Sequence, residues 1–294
     1  MLTLKTLLLW VVLPLAVLLL VAACSPLTVL NGVRSRGTET VTADVAYGAS
    51  LRQRLDVHVP TSAAPAGGWP VVVFFYGGSW NSGERADYRF VGEALAARGV
   101  LALVADYRLY PEVRYPDFLK DCAQALAFGL KQAQALGGNP KLVFVMGHSA
   151  GGYNAAMLAL DARWLIGAGH TPDELAGWIG LAGPYEFLPI TNPDAKPVFF
   201  YPDYPPGTQP IAYAAPGSPR TFLGASTEDA LVNPRRNTLA LAKRLEDAGV
   251  PVTLKLYDRL SHPTLIGVFG RPLRWLAPVL DDVVAFIGAA PAKP

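Results

Sequence analysis

Apolar and polar residues follow one another along this chain in a pattern that predicts alternating strands and helices. Two early segments, 40–48 and 52–60, alternate apolar and polar residues one by one, as half-exposed strands do. Continuous apolar runs, typical of strands buried on both faces, follow at 69–78, 100–108 and 141–147. Helical spacing of apolar residues separates these runs, over 88–99 and 116–138.

The second half of the chain continues this alternation. Further strands are predicted at 177–183, 220–226 and 251–258, and further helices from Gly151 or Gly152, over 235–248 and around 276–287. The spacing predicts an α/β fold with a mostly parallel central sheet and helices on both faces. Proline and tyrosine recur between Pro184 and Pro219, which disfavours long helices there. We expect this segment to be a short insertion over the carboxyl edge of the sheet, where ligands bind in such folds.

One serine stands among glycines at the end of the buried run 141–147. The segment GHSAG, residues 147–151, matches the pattern G-x-S-x-G and lies between a predicted strand and a predicted helix. In that context the glycines allow a tight turn that holds the serine hydroxyl above the sheet edge. We therefore predict that Ser149 is a nucleophile. The alternative is a glycine-rich helix start that Ser149 caps.

A serine hydroxyl is a weak nucleophile until a base takes its proton. Of the four histidines, His58 lies in an early strand, His148 lies inside the turn, and His170 precedes 177–183. His262 alone follows the last predicted strand. Because the loops after parallel strands gather at one edge of the sheet, we predict His262 as the base. An exposed histidine without a role in catalysis is the alternative.

The base needs an acid that fixes its tautomer and stabilises its charged form. Glu228 and Asp229 directly follow the predicted strand 220–226. We prefer Asp229, with Glu228 as the reserve and Asp258, four residues before His262, as a further rival. The order Ser, Asp, His along the chain is the one typical of α/β-hydrolases.

Backbone N–H groups must stabilise the oxyanion that such a reaction forms. Gly77 and Gly78, after the first buried run, can approach a ligand closely, and the N–H of Ala150 would complete the oxyanion hole; an ordinary glycine turn is the alternative. Three aromatic residues on nearby loops are candidates for substrate binding, with packing in the core as the alternative: Trp80, Tyr185 and Phe187.

Several of these segments together resemble a known family. YGGSWNSGE, DYRLYPEVRYP, GHSAGG, STEDALV and LSHP are similar to segments of the α/β-hydrolase esterases of the hormone-sensitive-lipase and arylformamidase-like branches, from Val45 to about Ile287. The resemblance implies an α/β-hydrolase fold. It also implies the same roles for the same positions: Ser149, Asp229 and His262 as the triad, and Gly77, Gly78 and Ala150 as oxyanion donors. Tyr76 departs from the family, which usually has a histidine there that shapes the oxyanion loop.

These observations predict a serine carboxylesterase that cleaves small esters through an acyl-enzyme. Two alternatives stay open: an amide or formamide hydrolase with the same triad, and an envelope lipoprotein that binds a partner without catalysis. Such a mechanism needs no metal or organic cofactor. The net charge of +2 has no basic cluster behind it, so we expect no nucleic-acid partner. Cys122, on the apolar side of a predicted helix, is expected to pack in the core.

The N-terminal segment predicts export. Lys5 precedes the apolar run Leu7–Val21, and small residues lead to Cys24, as in a bacterial lipobox whose cysteine carries the lipid. We predict a lipoprotein held at the membrane in the cell envelope, on the periplasmic side, with the outer membrane as an open alternative. An uncleaved anchor over Leu2–Ala23 and soluble secretion are the alternatives. The predicted organisation is a signal peptide, a linker and a catalytic domain: 1–23, 24–44 and 45–290. The sequence makes no prediction of the oligomeric state.

Overall fold

Eight strands form one sheet in the order β1-β2-β4-β3-β5-β6-β7-β8. The structure is a computed structural model that describes Trp10, residues 26–33 and residues 37–289. The strands are β1 Glu39–Ala46, β2 Arg54–Pro60, β3 Trp69–Phe75, β4 Leu101–Ala105, β5 Gly138–His148, β6 Gly177–Leu181, β7 Thr221–Ser226 and β8 Val252–Tyr257. Strands β1 and β2 are antiparallel to their neighbours, and the pairs from β4 to β8 are parallel. The mostly parallel sheet predicted from the sequence is confirmed.

Helices follow most of the strands. They are α1 Pro26–Gly32, α2 Arg89–Ala96, α3 Asp117–Gln132, α4 Ala150–Leu160, α5 Arg163–Ile166, α6 Ala240–Asp247, α7 His262–Gly267 and α8 Val279–Gly288. A π-helical turn, Arg235–Leu239, leads into α6. Helix α2 packs with α8, while α3 packs with α4 and α5, so the helices form separate groups around the sheet.

The central strands are buried because apolar side chains on both of their faces meet these helices. Val71 to Phe75 of β3 and Val143 to Met146 of β5 have no exposed surface. Each such side chain contributes about 1.5–3 kcal/mol through burial. Cys122 lies in α3 within this core, as expected, and its burial raises the pKa of the thiol. The apolar runs of the sequence therefore form the middle of the sheet, and the carboxyl ends of its parallel strands meet at one edge.

Ordered elements begin earlier than the domain boundary at residue 45 implies. Strand β1 starts at Glu39 and pairs with β2, and helix α1 buries Leu30 against the domain. The stretch predicted as a linker, 24–44, thus contains regular structure. The alternation of apolar and polar residues that forms β1 already begins at residue 40, inside that stretch. Apart from Trp10, the predicted signal peptide lies outside the described residues, as does Cys24. Across the described ranges, no helix has both the length and the apolar character needed to cross a membrane.

The proline- and tyrosine-rich insertion lies over the carboxyl edge of the sheet, where the sequence places it. Only short 3₁₀ turns form in it, at Pro197–Phe199 and Pro210–Tyr213. A backbone hydrogen bond from the Tyr115 N–H to the Val198 carbonyl at 3.1 Å joins it to the domain, and one from the Ile211 N–H to the Tyr185 carbonyl at 3.2 Å lies within it. The insertion is thus an ordered cover for the site below.

Candidate active site

Ser149 occupies a strained turn between β5 and α4. Its backbone has φ 56° and ψ −122°, in a region that residues other than glycine rarely adopt. A Cβ atom on Gly147 would lie 2.0 Å from the Gly151 carbonyl oxygen, and one on Gly151 would lie 2.0 Å from the Phe75 oxygen. Only glycine permits these approaches, so the glycines of GHSAG let the chain turn sharply enough to present Ser149 at the sheet edge.

Asp229 and His262 form a hydrogen-bonded pair. Nδ1 of His262 lies 2.6 Å from Oδ2 of Asp229, and both side chains are buried. Since an ionised carboxylate only accepts, Nδ1 carries the proton, and Nε2 of the neutral ring is left as a proton acceptor. Asp229 follows β7 and His262 follows β8. Because these strands are neighbours in the sheet, they bring together two residues that are 33 positions apart in the sequence.

The carboxylate of Asp229 is held in its ionised form. Burial by itself would raise its pKa, but hydrogen bonds from His262 and from the backbone N–H groups of Val232 and Leu231 outweigh burial and lower the pKa. Both N–H groups donate to Oδ1 at 2.9 Å. Asp229 therefore keeps the negative charge that stabilises a protonated His262.

The rival acids have other positions. The carboxylate of Asp258 accepts a hydrogen bond from the Thr227 hydroxyl at 3.0 Å. The backbone N–H of Glu228 donates to the Ser226 hydroxyl at 3.2 Å. Of the three candidate acids, Asp229 is the one that contacts His262. Among the other histidines, His58 pairs with Glu39 at 2.6 Å and His170 with Glu174 at 2.9 Å.

The loop that contains Gly77 and Gly78 packs against Ser149. A Cβ atom on Gly77 would lie 2.8 Å from the Cβ of Ser149, and Gly78 has a φ of 125°. The carbonyl of Gly78 accepts from the N–H groups of Asn81 and Ser82 at 3.0 and 3.1 Å, which folds the loop back on itself. Ala150 is the first residue of α4, so its N–H has no partner within the helix. Gly77 and Ala150 thus lie beside Ser149, with Gly78 next in the loop, and the role of all three as oxyanion donors stays a prediction.

Tyr76 lies beneath the oxyanion loop. Its hydroxyl donates to Oδ1 of Asp106 at 2.8 Å and accepts from Nη2 of Arg52, also at 2.8 Å. Its ring stacks between Tyr88 and Tyr107, with centroids 5.3 and 5.0 Å away. Burial raises the pKa of Tyr76, so it stays a neutral donor. These contacts of Tyr76 therefore hold the start of the loop that contains Gly77 and Gly78, at the position where the resemblance leads one to expect a histidine.

Two of the three predicted substrate-binding aromatics face Ser149. Trp80 and Phe187 line the same cavity as Ser149 and His262, and the Trp80 indole N–H donates to Asn154 at 3.0 Å. Tyr185 does not belong to this site, which corrects the prediction. Its side chain is fully buried, and its hydroxyl fills the space that a Cβ on Gly180 would occupy. Ala182, in the turn after β6 and three residues before Tyr185, has a positive φ of 48°.

His148 is a residue of the site that the sequence analysis gave no role. Its Nε2 lies 3.0 Å from the carbonyl oxygen of His262, to which it donates, and the two rings are 4.8 Å apart. Its side chain is buried and Nδ1 has no hydrogen-bond partner. This bond joins the turn that carries Ser149 to the first residue of α7. No spacing in the sequence indicates it, because its acceptor is a backbone atom 114 residues away.

His148 should make stability depend on pH. Burial, and secondarily His262, lower the pKa of His148 to about 3. An unfolded histidine titrates near pH 6.5, so the unfolded chain binds the extra proton first. The contribution of neutral His148 is complete above pH ~6.5 and is lost progressively as the pH falls towards about 3. From about pH 7.5 to about pH 5.5, wild type should lose ~1.4 kcal/mol more unfolding free energy than His148→Gln. Urea unfolding at both pH values measures this, and parallel losses in the two proteins would contradict it.

Two cavities meet at Ser149 and His262. The first, called here the insertion cavity, has a volume of about 120 Å³. Its lining includes Trp80 and, from the insertion, Phe187, Ile190, Thr191, Asn192 and Ala195. The second, called the helix cavity, has a volume of about 420 Å³ and lies between α1 and α7. Within residues 26–33 and 37–289, no three histidine, cysteine or acidic side chains cluster as a metal site would require.

Comparisons with known proteins agree with this architecture. The BD-FAE family model matches residues 55–174. A protein of Oryza sativa subsp. japonica named "Probable isoprenylcysteine alpha-carbonyl methylesterase" is 30% identical over 276 residues, which are 84% of this chain and 62% of that protein. A kynurenine formamidase of Danio rerio is 26% identical over 159 residues, or 54% of this chain and 51% of that protein. A solved carbohydrate esterase from gut microbiota, 16% identical, superposes with a TM-score of 0.73 over 88% of this chain and 99% of its own.

The sheet order and the turn at Ser149 define an α/β-hydrolase fold. Beyond the fold, these comparisons show sequence similarity to the named methylesterase over most of this chain. The chain spans less than two thirds of the length of the methylesterase that it matches.

Proposed function

We propose that this protein is a serine carboxylesterase that cleaves small carboxylic esters. One observation carries the proposal: His262, joined to Asp229 at 2.6 Å, lines a cavity with a serine held on a strained turn. The fold and the esterase relatives support hydrolase chemistry of this general kind. The specific roles below are the proposal.

In the first half of the reaction, Ser149 Oγ attacks the carbonyl carbon of the ester, and its proton passes to Nε2 of His262. The carbonyl oxygen becomes an anion that N–H groups of Gly77, Gly78 and Ala150 stabilise. When the C–O bond breaks, the His262 proton goes to the leaving alcohol, and the acyl group stays on Ser149. Asp229 remains ionised throughout, because its lowered pKa favours the carboxylate.

In the second half, water attacks the acyl carbon while His262 takes one of its protons. The ester bond to Ser149 then breaks, the proton returns to Oγ, and the carboxylic acid leaves. Ser149 and His262 carry every proton transfer in this scheme, so it contains no metal or organic cofactor.

Hydrolysis of a formamide is the second candidate. The kynurenine formamidase among the relatives favours it, and the same triad would serve. A panel of p-nitrophenyl esters of graded acyl length, beside an arylformamide and a peptide substrate, separates the two. We expect the esters to be cleaved with the highest kcat/KM. A higher kcat/KM for the formamide would support the second candidate, and folded protein that cleaves none of them would point to a binding protein instead.

We also propose that Cys24 carries a lipid and that the protein is held at the membrane in the cell envelope. The lipobox-like sequence before Cys24 supports this. In a bacterial host, Cys24→Ser should lose metabolic labelling with an alkyne fatty acid and leave the membrane fraction. Cys122→Ser, which changes the buried cysteine, should keep the label. Labelled, membrane-held Cys24→Ser protein would contradict the proposal.

A further inference from the structure

The two cavities at Ser149 differ in size and in the elements that form them. The insertion cavity, at about 120 Å³, is smaller than the range of about 300–1,000 Å³ usual for ligand pockets, and the helix cavity, at about 420 Å³, lies inside it. Both open on Ser149 and His262, so one bound ester can place a different part of its structure in each. The structure therefore accommodates an ester whose two groups are unequal.

The helix cavity has an apolar wall supplied by the N-terminal helix. Leu27 and Leu30 of α1 face it from one side, and Ile266 and Leu273 face it from the other. Such a surface offers a hydrocarbon chain favourable burial and few hydrogen-bond partners. Among the residues that the structure describes, no Lys, Arg, Asp or Glu lines this cavity.

Helix α1 is fixed in place by side-chain hydrogen bonds. The Asn31 amide donates to the Asp87 carbonyl at 2.8 Å and to the Ala86 carbonyl at 3.2 Å, and its oxygen accepts from the Phe90 N–H at 3.0 Å. Leu30 is buried against the domain, whereas Leu27 is half-buried at the cavity. The wall is thus a built part of the domain, in a stretch of sequence predicted to be a linker.

Bulky side chains and a hydrogen bond between two lining residues restrict the insertion cavity. Trp80 and Phe187 stack with ring centroids 6.2 Å apart, and the Asn192 amide donates to the Ser79 hydroxyl at 3.0 Å across the cavity. Ala195 and Ile190 complete its apolar side. A short group fits here, and a long chain would require these side chains to move.

We propose that the helix cavity receives the large apolar group of an ester whose other group is short, and that Leu27 helps to set the accepted length. This inference rests on the proposed esterase function. The large group is either the acyl chain or the alcohol, since both attach to the carbonyl carbon that Ser149 attacks. Each methylene buried against the wall should raise kcat/KM by up to about four-fold, until the cavity is full.

Two ester series test the proposal on the full chain. One series varies the acyl group on p-nitrophenol, and the other varies the alcohol of acetate esters. We expect kcat/KM to rise with chain length in one series and to fall after the shortest members in the other. Which series rises identifies the group in the helix cavity. Flat or falling profiles in both series would overturn the proposal.

Substitutions at one position connect the preference to the wall. Leu27→Phe and Leu27→Trp should progressively lower kcat/KM for the long members, by about ten-fold or more for Trp, and leave the short members within about two-fold. Thr28→Ala, an exposed neighbour on the same helix, should keep the wild-type profile. Thermal unfolding identifies variants that no longer fold. An equal loss for short and long esters in a folded Leu27→Trp protein would overturn the assignment.

A binding measurement separates this proposal from the esterase function. Ser149→Ala protein, which cannot form an acyl-enzyme, should bind 1-decanol in titration calorimetry, and the additional change Leu27→Trp should weaken that binding. If no ester is hydrolysed yet this pattern of binding holds, the proposed function fails and the apolar cavity stands. If esters are hydrolysed but 1-decanol does not bind, or binds regardless of Leu27, the cavity assignment is overturned.

Discussion

Replacing Ser149 with alanine should lower kcat for ester hydrolysis by about 10⁵-fold or more, since the variant has no hydroxyl to form the acyl-enzyme. The glycines around Ser149 let the backbone turn tightly enough to place its side chain at the sheet edge. Alanine has the same backbone demands as serine at this φ, so the fold should be preserved. Steady-state hydrolysis of a p-nitrophenyl ester, with circular dichroism as a check on folding, measures the loss.

The matched control for this result is Ser62→Ala. Ser62 is exposed and follows β2, whose last residues lie at the edge of the sheet opposite to Ser149. It should retain wild-type kcat and KM. A folded Ser149→Ala protein within about ten-fold of wild-type kcat would show that another group is the nucleophile.

The change Asp229→Asn should lower kcat by about 10⁴-fold with little change in structure. The amide oxygen of asparagine can still accept from Leu231 and Val232, so the loop after β7 keeps its hydrogen bonds. The amide cannot serve as the anion that stabilises protonated His262, and its NH₂ group favours the tautomer with the proton on Nε2. In that tautomer His262 cannot take the Ser149 proton.

The rival acids supply the controls for Asp229. Asp258→Asn makes the equivalent change at a carboxylate that accepts from the Thr227 hydroxyl, and Glu228→Gln makes it at the residue before Asp229. Both should stay within about ten-fold of wild-type kcat. A larger loss in Asp258→Asn than in Asp229→Asn would transfer the role of the acid to Asp258.

Much of the fold follows from the sequence because burial on both faces leaves a clear pattern. Strands β3 and β4 and the segment Leu142–Met146 of β5 are apolar without interruption, since helices cover both faces of the sheet centre. The turn at Ser149 is equally recognisable, because only glycine permits the backbone approaches at Gly147 and Gly151. Constraints that act within one short segment leave a recognisable pattern in a few neighbouring residues.

The features that the sequence did not indicate depend on contacts between distant segments. Helix α1 is only seven residues long, and hydrogen bonds of Asn31 to the backbone near residue 87 hold it at the cavity. The position of Tyr185 depends on the backbone of the turn after β6, which sequence periodicity does not describe. The role of His148 depends on a carbonyl group in α7. No spacing or residue type in the sequence is specific to any of these contacts.

Covalent labelling tests the central claim most directly, which is that Asp229 and His262 activate Ser149. The folded protein should react with a fluorophosphonate, and tandem mass spectrometry should place the single modification on Ser149. The same treatment of His262→Gln should give little or no label, because that variant lacks the base that takes the serine proton. Label on another residue, no label on folded wild-type protein, or undiminished labelling of His262→Gln would contradict the account.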